Sequence, residues 1–242
     1  MSLTVEKMQS ALEPAGLLPF LDLPALSSLA RFSEKMLQIN ETLNLTRWTQ
    51  DEDFLSFHLL DSAFVLPVLK PLVTGSQRWV DLGTGGGFPG AVLIAAFPQV
   101  EVTLLDSVAK KTKALDECLQ AAGWKAKTLT GRAEEVGRNP ATRETWDGVV
   151  VRAVADFPVI LEYGIPFLKT GGYLVSWMTD DQFKAVDKFE KALHLLHSKI
   201  THRVDYSLPG LSQKRWLVIV EKMGKTPETY PRPVGQPSKH PL

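Results

Sequence analysis

The spacing of hydrophobic and polar positions changes near residue 76. Before that point, apolar side chains recur at helical spacing over residues 26–39 and again over residues 54–64. No segment there has the short apolar run or the alternation of a strand. We therefore predict an N-terminal helical extension over residues 1–75, in which Pro67 and Pro71 end the second helix.

Residues 76–222 instead alternate short apolar runs with helical segments. The runs predict seven strands, at residues 79–82, 101–105, 126–130, 148–152, 173–178, 200–206 and 215–220. The helical segments lie at residues 89–97, 108–122, 155–168 and 181–195. Apolar strands that alternate with helices are typical of a mostly parallel sheet covered on both faces. The last two strands have no helix between them, so we expect an antiparallel hairpin to end this α/β domain.

The remaining segment has a different composition. Residues 222–242 read KMGKTPETYPRPVGQPSKHPL, with five prolines and no apolar periodicity. This composition predicts an irregular, basic, Pro-rich tail over residues 223–242 rather than a further domain.

The overall composition is that of an ordinary globular protein. The 242 residues include 27 basic and 27 acidic side chains, so the total charge gives no indication of an acidic partner. A single cysteine excludes a disulfide framework or a cysteine-based metal site. The first ten residues lack the apolar core of a signal peptide, and no apolar run approaches the ~18 residues of a membrane helix. We therefore expect a cytoplasmic protein that does not act at a membrane.

A glycine-rich segment follows the first predicted strand. It reads Asp81-Leu82-Gly83-Thr84-Gly85-Gly86-Gly87-Phe88-Pro89-Gly90. Glycines at this place let a ligand approach the backbone, and the next helix offers free amide groups. Gly85, Gly87 and Gly90 fit the G-x-G-x-x-G pattern, but dinucleotide-binding enzymes share that pattern, and the glycines of a tight turn would also fit it.

Carboxylates at the ends of the first two strands favour one class of cofactor. Asp81 directly precedes the glycines, where it would repel a pyrophosphate but attract the ammonium and sulfonium groups of S-adenosylmethionine. Asp106, which ends the second strand, is placed to accept both ribose hydroxyls, a role common to both cofactor classes. We therefore predict that Asp81, Gly85 and Asp106 bind S-adenosylmethionine.

The segment Gly131-Arg132-Ala133-Glu134 follows the third predicted strand. Methyltransferases of this architecture usually contact the adenine ring at this place, and Ala133 and the backbone at Glu134 could do so here. The same residues would serve equally well as an ordinary helix start, in which an acidic side chain in the first turn is favourable. Both interpretations stay open on the residues alone.

Several motifs occur together in one order along the chain. They are Asn44-Leu45-Thr46, His58-x-x-Asp61-Ser62, Asp81-x-Gly83-Thr84-Gly85-x-Gly87-Phe88-Pro89-Gly90, Leu104-Leu105-Asp106-Ser107, Gly131-Arg132-Ala133-Glu134 and Arg152-Ala153. This set resembles the bacterial small-subunit ribosomal RNA guanine-N7 methyltransferases, also called the glucose-inhibited division protein B family. The resemblance spans almost the whole chain, including the tail, and is far more specific than the glycine pattern alone.

The resemblance implies a class I S-adenosylmethionine-dependent methyltransferase fold, which is Rossmann-like, and methyl transfer to N7 of one guanine in small-subunit (16S-type) ribosomal RNA. By position, the family's cofactor contacts fall on Gly83, Phe88, Asp106, Ser107, Ala133, Glu134 and Arg152. The implied partner is small-subunit ribosomal RNA or the small ribosomal subunit, and we expect the protein to act on it as a monomer.

The chain departs from the family near the end of the fifth strand. Family members usually have a lysine there, whereas this chain reads Val175-Ser176-Trp177-Met178. If that lysine holds RNA, its role is absent or moved here. Trp177 would either stack on a base or pack as a buried residue, and we interpret it as a packing residue.

The residues present also bear on the acceptor atom. No Asn/Asp-Pro-Pro-aromatic motif follows the fourth strand, which disfavours methylation of an exocyclic amine. Carbon methylation of pyrimidines needs a cysteine nucleophile, but Cys118 lies among apolar helix positions that indicate packing. Guanine N7 has a free lone pair, so its methylation mainly requires that donor and acceptor be held in line. We therefore expect no catalytic base and name no catalytic residue.

Histidines and basic runs have plain interpretations as well. The five histidines form no compact ligand set with carboxylates, so we expect no metal site. We interpret His58 and Asp61, three positions apart on one helix, as a helix-docking pair, with a wall of the target pocket as the alternative.

Two basic runs could each be a solvated face or a set of phosphate contacts. They comprise Lys110, Lys111 and Lys113 in the first run and Lys222, Lys225, Arg232 and Lys239 in the second.

Three other functions are compatible with parts of the sequence. A small-molecule methyltransferase would share the fold, since fold alone does not set the substrate. A nicotinamide-dependent oxidoreductase would use the G-x-G-x-x-G match, but Asp81 and the lack of a Tyr-x-x-x-Lys pair argue against it. A non-catalytic RNA-binding module would lack the cofactor pocket that the motifs indicate.

Overall fold

The computed structural model describes residues 3–242, so the first two residues of the predicted extension lie outside the described residues. Two compact units are distinguished within the chain. The first comprises the residues up to Gln77 together with Thr84–Thr130, and the second comprises Arg78–Gly83 and Gly131–Leu242. The predicted domain limits after residues 75 and 222 follow changes in sequence pattern and stay predictions.

Helices fill the N-terminal part of the first unit, as the apolar spacing predicts. Their bounds are α1 Val5–Leu12, α2 Leu23–Asn40, α3 Asp51–Phe54, α4 Asp61–Ala63 and α5 Leu66–Leu69. The carboxylate of Asp22 caps α2 by accepting a hydrogen bond from the amide of Ala25 at 2.8 Å. Between α3 and α4, Leu55–Leu60 forms a π-helical stretch, so the helix expected over residues 54–64 contains a widened turn.

Helix α2 provides the central apolar stripe of the first unit. Leu26, Leu29, Phe32 and Met36 recur at helical spacing and are fully buried. This stripe packs against α7, Ala109–Ala122. Full burial of one such side chain stabilises a fold by about 1.5–3 kcal/mol. The N-terminal helices are therefore part of the core of their unit rather than an appendage.

The structure contains the seven strands that the sequence predicts, in the predicted order along the chain. Their bounds are β1 Gln77–Leu82, β2 Val100–Asp106, β3 Lys127–Thr130, β4 Trp146–Arg152, β5 Leu168–Thr179, β6 Ser198–Tyr206 and β7 Arg215–Lys222. Within the described residues they form one seven-stranded sheet in the order β3-β2-β1-β4-β5-β7-β6. The pairs β1–β4, β2–β3 and β4–β5 are parallel, whereas β7 is antiparallel to both β5 and β6. The predicted α/β class, the mostly parallel sheet and the antiparallel hairpin at its end are confirmed.

Two predicted helices are divided in the structure. The remaining helices are α6 Gly90–Ala96, α8 Ala133–Val136, α9 Phe157–Gly164, α10 Asp180–Lys184, α11 Glu190–Leu195 and α12 Gln236–Lys239. The helix expected over residues 155–168 ends at Gly164, and a 3-10 turn around Pro166 follows it. The helix expected over residues 181–195 separates into α10, a 3-10 turn and α11. Among the described residues, no helix has both the length and the apolar character that a membrane span requires.

Strand β5 begins earlier than its apolar pattern indicates. Gly171 has a positive φ of 85°, and a Cβ atom on Gly172 would lie 2.9 Å from the carbonyl oxygen of Asp147. The register between β4 and β5 shifts between Trp146 and Gly148. In a sequence pattern such glycines predict a loop, whereas here they let an irregular strand pass close to its neighbour.

The two edges of the sheet are formed by β3 and β6. Strand β3 has only four residues, and its Lys127 forms an exposed ion pair with Glu101 at 3.6 Å. Strand β6 has nine residues, and its pairing with β7 is irregular between Ile200 and His202.

Candidate functional site

In the first unit, the glycine-rich loop is tied to the end of β2. The amide of Gly85 donates to Asp106 Oδ2 at 3.1 Å, and the amide of Thr84 donates to the carbonyl of Leu105 at 2.9 Å. The other carboxylate oxygen of Asp106, Oδ1, accepts from the amide of Val108 at 2.9 Å. Each carboxylate oxygen has a second lone pair, so Asp106 keeps the capacity to accept hydroxyl groups of a ligand.

The glycines of this loop are needed for packing as well as for any ligand. Gly85 and Gly87 have positive φ angles of 57° and 92°, which favour glycine. A Cβ atom on Gly87 would lie 2.5 Å from Phe32 Cζ and 3.1 Å from Leu115 Cδ2. The interpretation that the bare backbone serves a ligand is therefore incomplete, because Gly87 makes room for the apolar stripe of α2.

Phe88 belongs to a buried aromatic cluster. Its ring centroid lies 5.9 Å from that of Phe32, 5.6 Å from that of Phe54 and 5.0 Å from that of His58. The contacts with the two phenylalanines are edge-on, which is a favourable arrangement of aromatic rings. The structure thus gives Phe88 a packing role, and its role as a cofactor contact stays a prediction. Ser107 is exposed directly after the end of β2, and its role as a cofactor contact also stays a prediction.

The loop that contains Asn44-Leu45-Thr46 is held by side-chain hydrogen bonds. Asn40 Oδ1 accepts from the amides of Leu45 and Thr46 at 2.7 and 2.8 Å. Thr46 Oγ1 and His58 Nε2 form a further hydrogen bond of 2.6 Å. This bond joins the loop to the π-helical stretch, and His58 is buried. Both observations support the interpretation of His58 as a docking residue.

In the second unit, candidate residues lie at the ends of two neighbouring parallel strands. Asp81 stands near the end of β1, opposite Val150 of β4, and is only 1% exposed. Arg152 is the last residue of β4 and pairs in register with Trp177 of β5. Trp177 is buried, which confirms its interpretation as a packing residue rather than an exposed platform for a base.

Sequence reasoning missed a backbone feature directly after Arg152. Ala153 has a positive φ of 56°, a conformation that costs a non-glycine residue about 1–3 kcal/mol. A Cβ atom on Gly83 would lie 2.5 Å from Cγ2 of Val154, so the glycine leaves room for this turn. Backbone strain of this kind concentrates at functional sites, but nothing in the residue types Arg-Ala-Val signals it.

Ala133 and Glu134 begin helix α8, and both are buried. The carboxylate of Glu134 accepts a hydrogen bond from the amide of Gly235 at 3.0 Å, and Arg132 Nη2 lies 3.7 Å from the same oxygen. The side chain of Glu134 is therefore committed to protein groups, which leaves its main chain as the candidate ligand contact. The interpretation as an ordinary helix start also holds, since the acidic side chain lies in the first turn of α8.

The tail after β7 is held in place within the second unit by contacts along its length. Arg138 and Arg143, which follow α8, donate to carbonyl groups of the tail. The acceptors are the carbonyls of Thr226, Pro227, Thr229, Tyr230 and Pro231. Nearer its end, α12 packs against α9, and Ser238 Oγ lies 2.9 Å from the hydroxyl of Tyr163. The predicted irregular tail is thus an ordered segment with defined partners.

Two cations of the tail run have carboxylate partners. Arg232 forms an ion pair with the fully buried Glu162, with 2.6 Å between Nη2 and Oε2, and this hydrogen bond raises the pKa of Arg232. Lys222 is itself fully buried, with Nζ 2.5 Å from Glu144 Oε1. These two cations hold the fold together, which argues against Arg232 as a phosphate contact.

The α7 lysines, Lys110, Lys111 and Lys113, have different surroundings. Lys110 and Lys113 are exposed and Lys111 is half-buried. Within residues 3–242, none of the three side-chain ammonium groups has an ion pair or a hydrogen-bond partner. They lie in the first turns of α7, where a cation is opposed by the helix dipole. The fold gains nothing from charge at this place, so the charge is available to a partner.

Cys118 is buried, and the described residues contain no cluster of metal-binding side chains. Burial raises the pKa of the Cys118 thiol to about 12. The nucleophilic thiolate is therefore scarce at neutral pH, in agreement with the packing interpretation. Across residues 3–242, no group of three or more His, Cys, Asp or Glu side chains is arranged to hold a metal ion.

Comparisons with known proteins agree with each other. The family model of the rRNA small subunit methyltransferase G matches residues 25–211. A ribosomal RNA small subunit methyltransferase G of Acetivibrio thermocellus is 38% identical over 212 residues, which are 87% of this chain and 86% of that protein. Its counterpart in Leuconostoc citreum is 34% identical over 241 residues, which are 99% of this chain and 100% of that protein.

A solved structure shows the same fold at much lower identity. An S-adenosylmethionine-dependent O-methyltransferase of Thermotoga maritima matches with a TM-score of 0.51 and 16% sequence identity. The match covers 79% of this chain and 72% of that one. At this identity the likeness concerns the fold alone.

Proposed function

Because the chain belongs to the rRNA small subunit methyltransferase G family, we propose that it transfers a methyl group from S-adenosylmethionine to N7 of a guanine in small-subunit ribosomal RNA. The main support is the family match over residues 25–211, which includes the glycine-rich loop and the strand ends at Asp81, Asp106 and Arg152. When bound, the cofactor supplies an electrophilic methyl group on a sulfonium.

We propose that nine residues bind the cofactor. They are Asp81, Gly83, Gly85, Phe88, Asp106, Ser107, Ala133, Glu134 and Arg152. Two observations support a cofactor with hydroxyl and cationic groups. Asp106 keeps acceptor capacity beside the Gly85 amide, and the buried carboxylate of Asp81 suits an ammonium better than a phosphate.

The proposed acceptor atom requires positioning rather than proton transfer. Guanine N7 has a lone pair that is free throughout the neutral pH range, so no side chain has to remove a proton. The residues of the chain then have to bind the two reactants, align them and exclude water. The inert Cys118 is consistent with this chemistry, since a covalent route to a carbon atom would need a reactive thiolate.

We further propose that the α7 lysines contact RNA phosphates. They are exposed or half-buried cations without protein partners, which is the state in which lysines release counterions on binding a nucleic acid. We expect the protein to do this as a cytoplasmic monomer, and sedimentation of the protein alone and with RNA measures its stoichiometry.

Methyl transfer tests the proposed function directly. The protein is incubated with labelled S-adenosylmethionine and either unmodified small subunits or free small-subunit RNA, and the methylated base is then mapped. We expect one guanine labelled at N7, and the two substrates show whether an assembled particle is required. Label on a small molecule but on neither RNA would instead favour a small-molecule methyltransferase of the same fold.

Asp81→Asn provides the matched control for the cofactor side of this experiment. The amide keeps the size of the side chain but removes the charge that is proposed to meet the cofactor ammonium. We expect affinity for S-adenosylmethionine to fall by at least about tenfold, because truncating one member of a buried charge pair costs about 2–5 kcal/mol. Calorimetry measures the affinity, and an unchanged value in a folded protein would contradict the role of Asp81.

A further inference from the structure

The C-terminal tail and the proposed adenine contact share a buried hydrogen bond. The amide of Gly235 donates to Glu134 Oε1 at 3.0 Å, and Glu134 is only 1% exposed. A buried carboxylate that loses such a donor is left with unsatisfied acceptor capacity, which is costly. The conformation of Glu134 in the described fold therefore depends on where the tail lies.

The position of Gly235 is in turn fixed by contacts on both sides of it. Before it, Arg232 is held by the buried Glu162, through both its main-chain amide and its guanidinium. After it, Ser238 bonds the hydroxyl of Tyr163. Carbonyl groups from Thr226 to Pro231 accept hydrogen bonds from Arg138 and Arg143, which follow Glu134 and α8 closely in the chain.

On the premise of the proposed function, we propose that the tail positions the cofactor-binding segment at Ala133 and Glu134. The Gly235 amide holds the Glu134 side chain on the tail side, and this orients the main chain that is assigned to the adenine. Gly235 is a positioning residue under this proposal, because it acts through Glu134 and not on the cofactor itself.

A single substitution tests the link, and the chain offers a closely matched control. Gly235 has a φ of 80° and would have open space around a Cβ atom, and the same is true of Gly210, with a φ of 78°, in the loop between β6 and β7. Valine strongly disfavours this backbone conformation. Gly235→Val therefore displaces an amide that bonds Glu134, whereas Gly210→Val causes the same kind of local strain elsewhere in the same unit.

Calorimetry with S-adenosylhomocysteine and with adenosine gives the readout. We expect Gly235→Val to weaken binding of both ligands by about tenfold, since both contain the adenine. Gly210→Val should bind both as the original protein does. Circular dichroism confirms that each variant is folded at the temperature of the titration.

Each other outcome has a distinct meaning. If the original protein binds neither ligand, the proposed function fails. If it binds both and a folded Gly235→Val variant binds them equally well, the positioning role is wrong. A loss confined to S-adenosylhomocysteine would also overturn it, because the tail would then affect another part of the cofactor.

Hydrogen exchange on the unsubstituted protein gives an independent test that does not depend on the folding of a variant. Coupling between two sites is reciprocal, so a tail that positions the cofactor segment must itself be stabilised by the cofactor. We expect saturating S-adenosylhomocysteine to slow exchange of the Gly235 amide severalfold and to leave the Gly210 amide unchanged. Equal exchange at Gly235 with and without ligand would contradict the proposal.

Discussion

The two basic runs of this chain look alike in sequence and have opposite surroundings in the fold. The α7 lysines are unpartnered within the described residues, whereas Arg232 and Lys222 of the tail run are held by Glu162 and Glu144. Both carboxylates are far from their cations along the chain, so local charge patterns do not reveal them. The number of cations in a run therefore does not determine how much charge is available to RNA.

The largest effect is expected from breaking the pair in the tail. Arg232→Ala leaves the fully buried Glu162 without its cation. Removing one member of a buried ion pair lowers the free energy of unfolding by about 3–5 kcal/mol. Urea unfolding measures this loss. Lys239→Ala is the matched control, since Lys239 is an exposed cation of the same tail and its removal should change stability by less than about 0.5 kcal/mol.

The second effect concerns RNA binding by the α7 lysines. The slope of log affinity against log salt is negative, and each phosphate contact on single-stranded RNA contributes about −0.7 to it. Replacing all three lysines with glutamine should therefore make the slope less negative by about 2. The stability of the protein should not fall, since these cations oppose the helix dipole. Filter binding to small-subunit RNA over a range of salt concentrations measures the slope.

The exposed cations of the tail supply the control for that experiment. Lys225 and Lys239 are both exposed, and replacing them with glutamine removes charge without breaking the Arg232 pair. We expect a change in slope of less than about 1. If this double variant lost as much slope as the α7 variant, the tail would be an RNA surface as well, and the contrast between the two runs would disappear.

The smallest effect is expected from the pair between Lys222 and Glu144, and it depends on pH. Burial raises the pKa of Glu144, but hydrogen bonds from Lys222 and the Thr226 amide outweigh it, and the pKa lies below its ordinary value of 4.5. A carboxyl group with a depressed pKa stabilises the fold above its unfolded-state pKa, and this contribution is lost as the pH falls through the folded-state value.

Urea unfolding at a series of pH values tests this sign. We expect stability to decline as the pH drops below about 4.5, and to decline less steeply in Glu144→Gln, which has no titrating group at this place. Parallel curves for the two proteins would show that Glu144 does not contribute to the acid sensitivity.

Most of the fold follows from the sequence because its signals are local. Alternation of apolar runs and helical segments is enough to place all seven strands and the closing hairpin. The errors lie where a local signal is absent or misleading. Glycines hide the start of β5, and the π-helical stretch Leu55–Leu60 has an apolar spacing that an ordinary helix would also show.

In the candidate site, too, some features have a local signal in the sequence and others have none. Residue types and their order are enough to select Asp81, Asp106 and the glycine-rich loop, because each motif is continuous in the chain. The left-handed Ala153 and the bond between Gly235 and Glu134 are not predictable in this manner. The first depends on backbone conformation, and the second joins residues separated by about a hundred positions.

The edges of the sheet determine how the protein behaves when it is concentrated. An edge strand offers amide and carbonyl groups to a strand of a neighbouring molecule, and long flat edges polymerise in this way. Strand β3 is too short to recruit a partner, and β6 is interrupted between Ile200 and His202 and presents exposed Lys199 and Arg203. Lys199 and Arg203 are ion-paired with Glu221 and Asp187. A strand added at this edge would have to desolvate these charged groups and cross a broken ladder, so the longer edge resists aggregation. Apolar residues at Lys199 and Arg203 would turn concentrated solutions turbid while leaving each separate molecule folded.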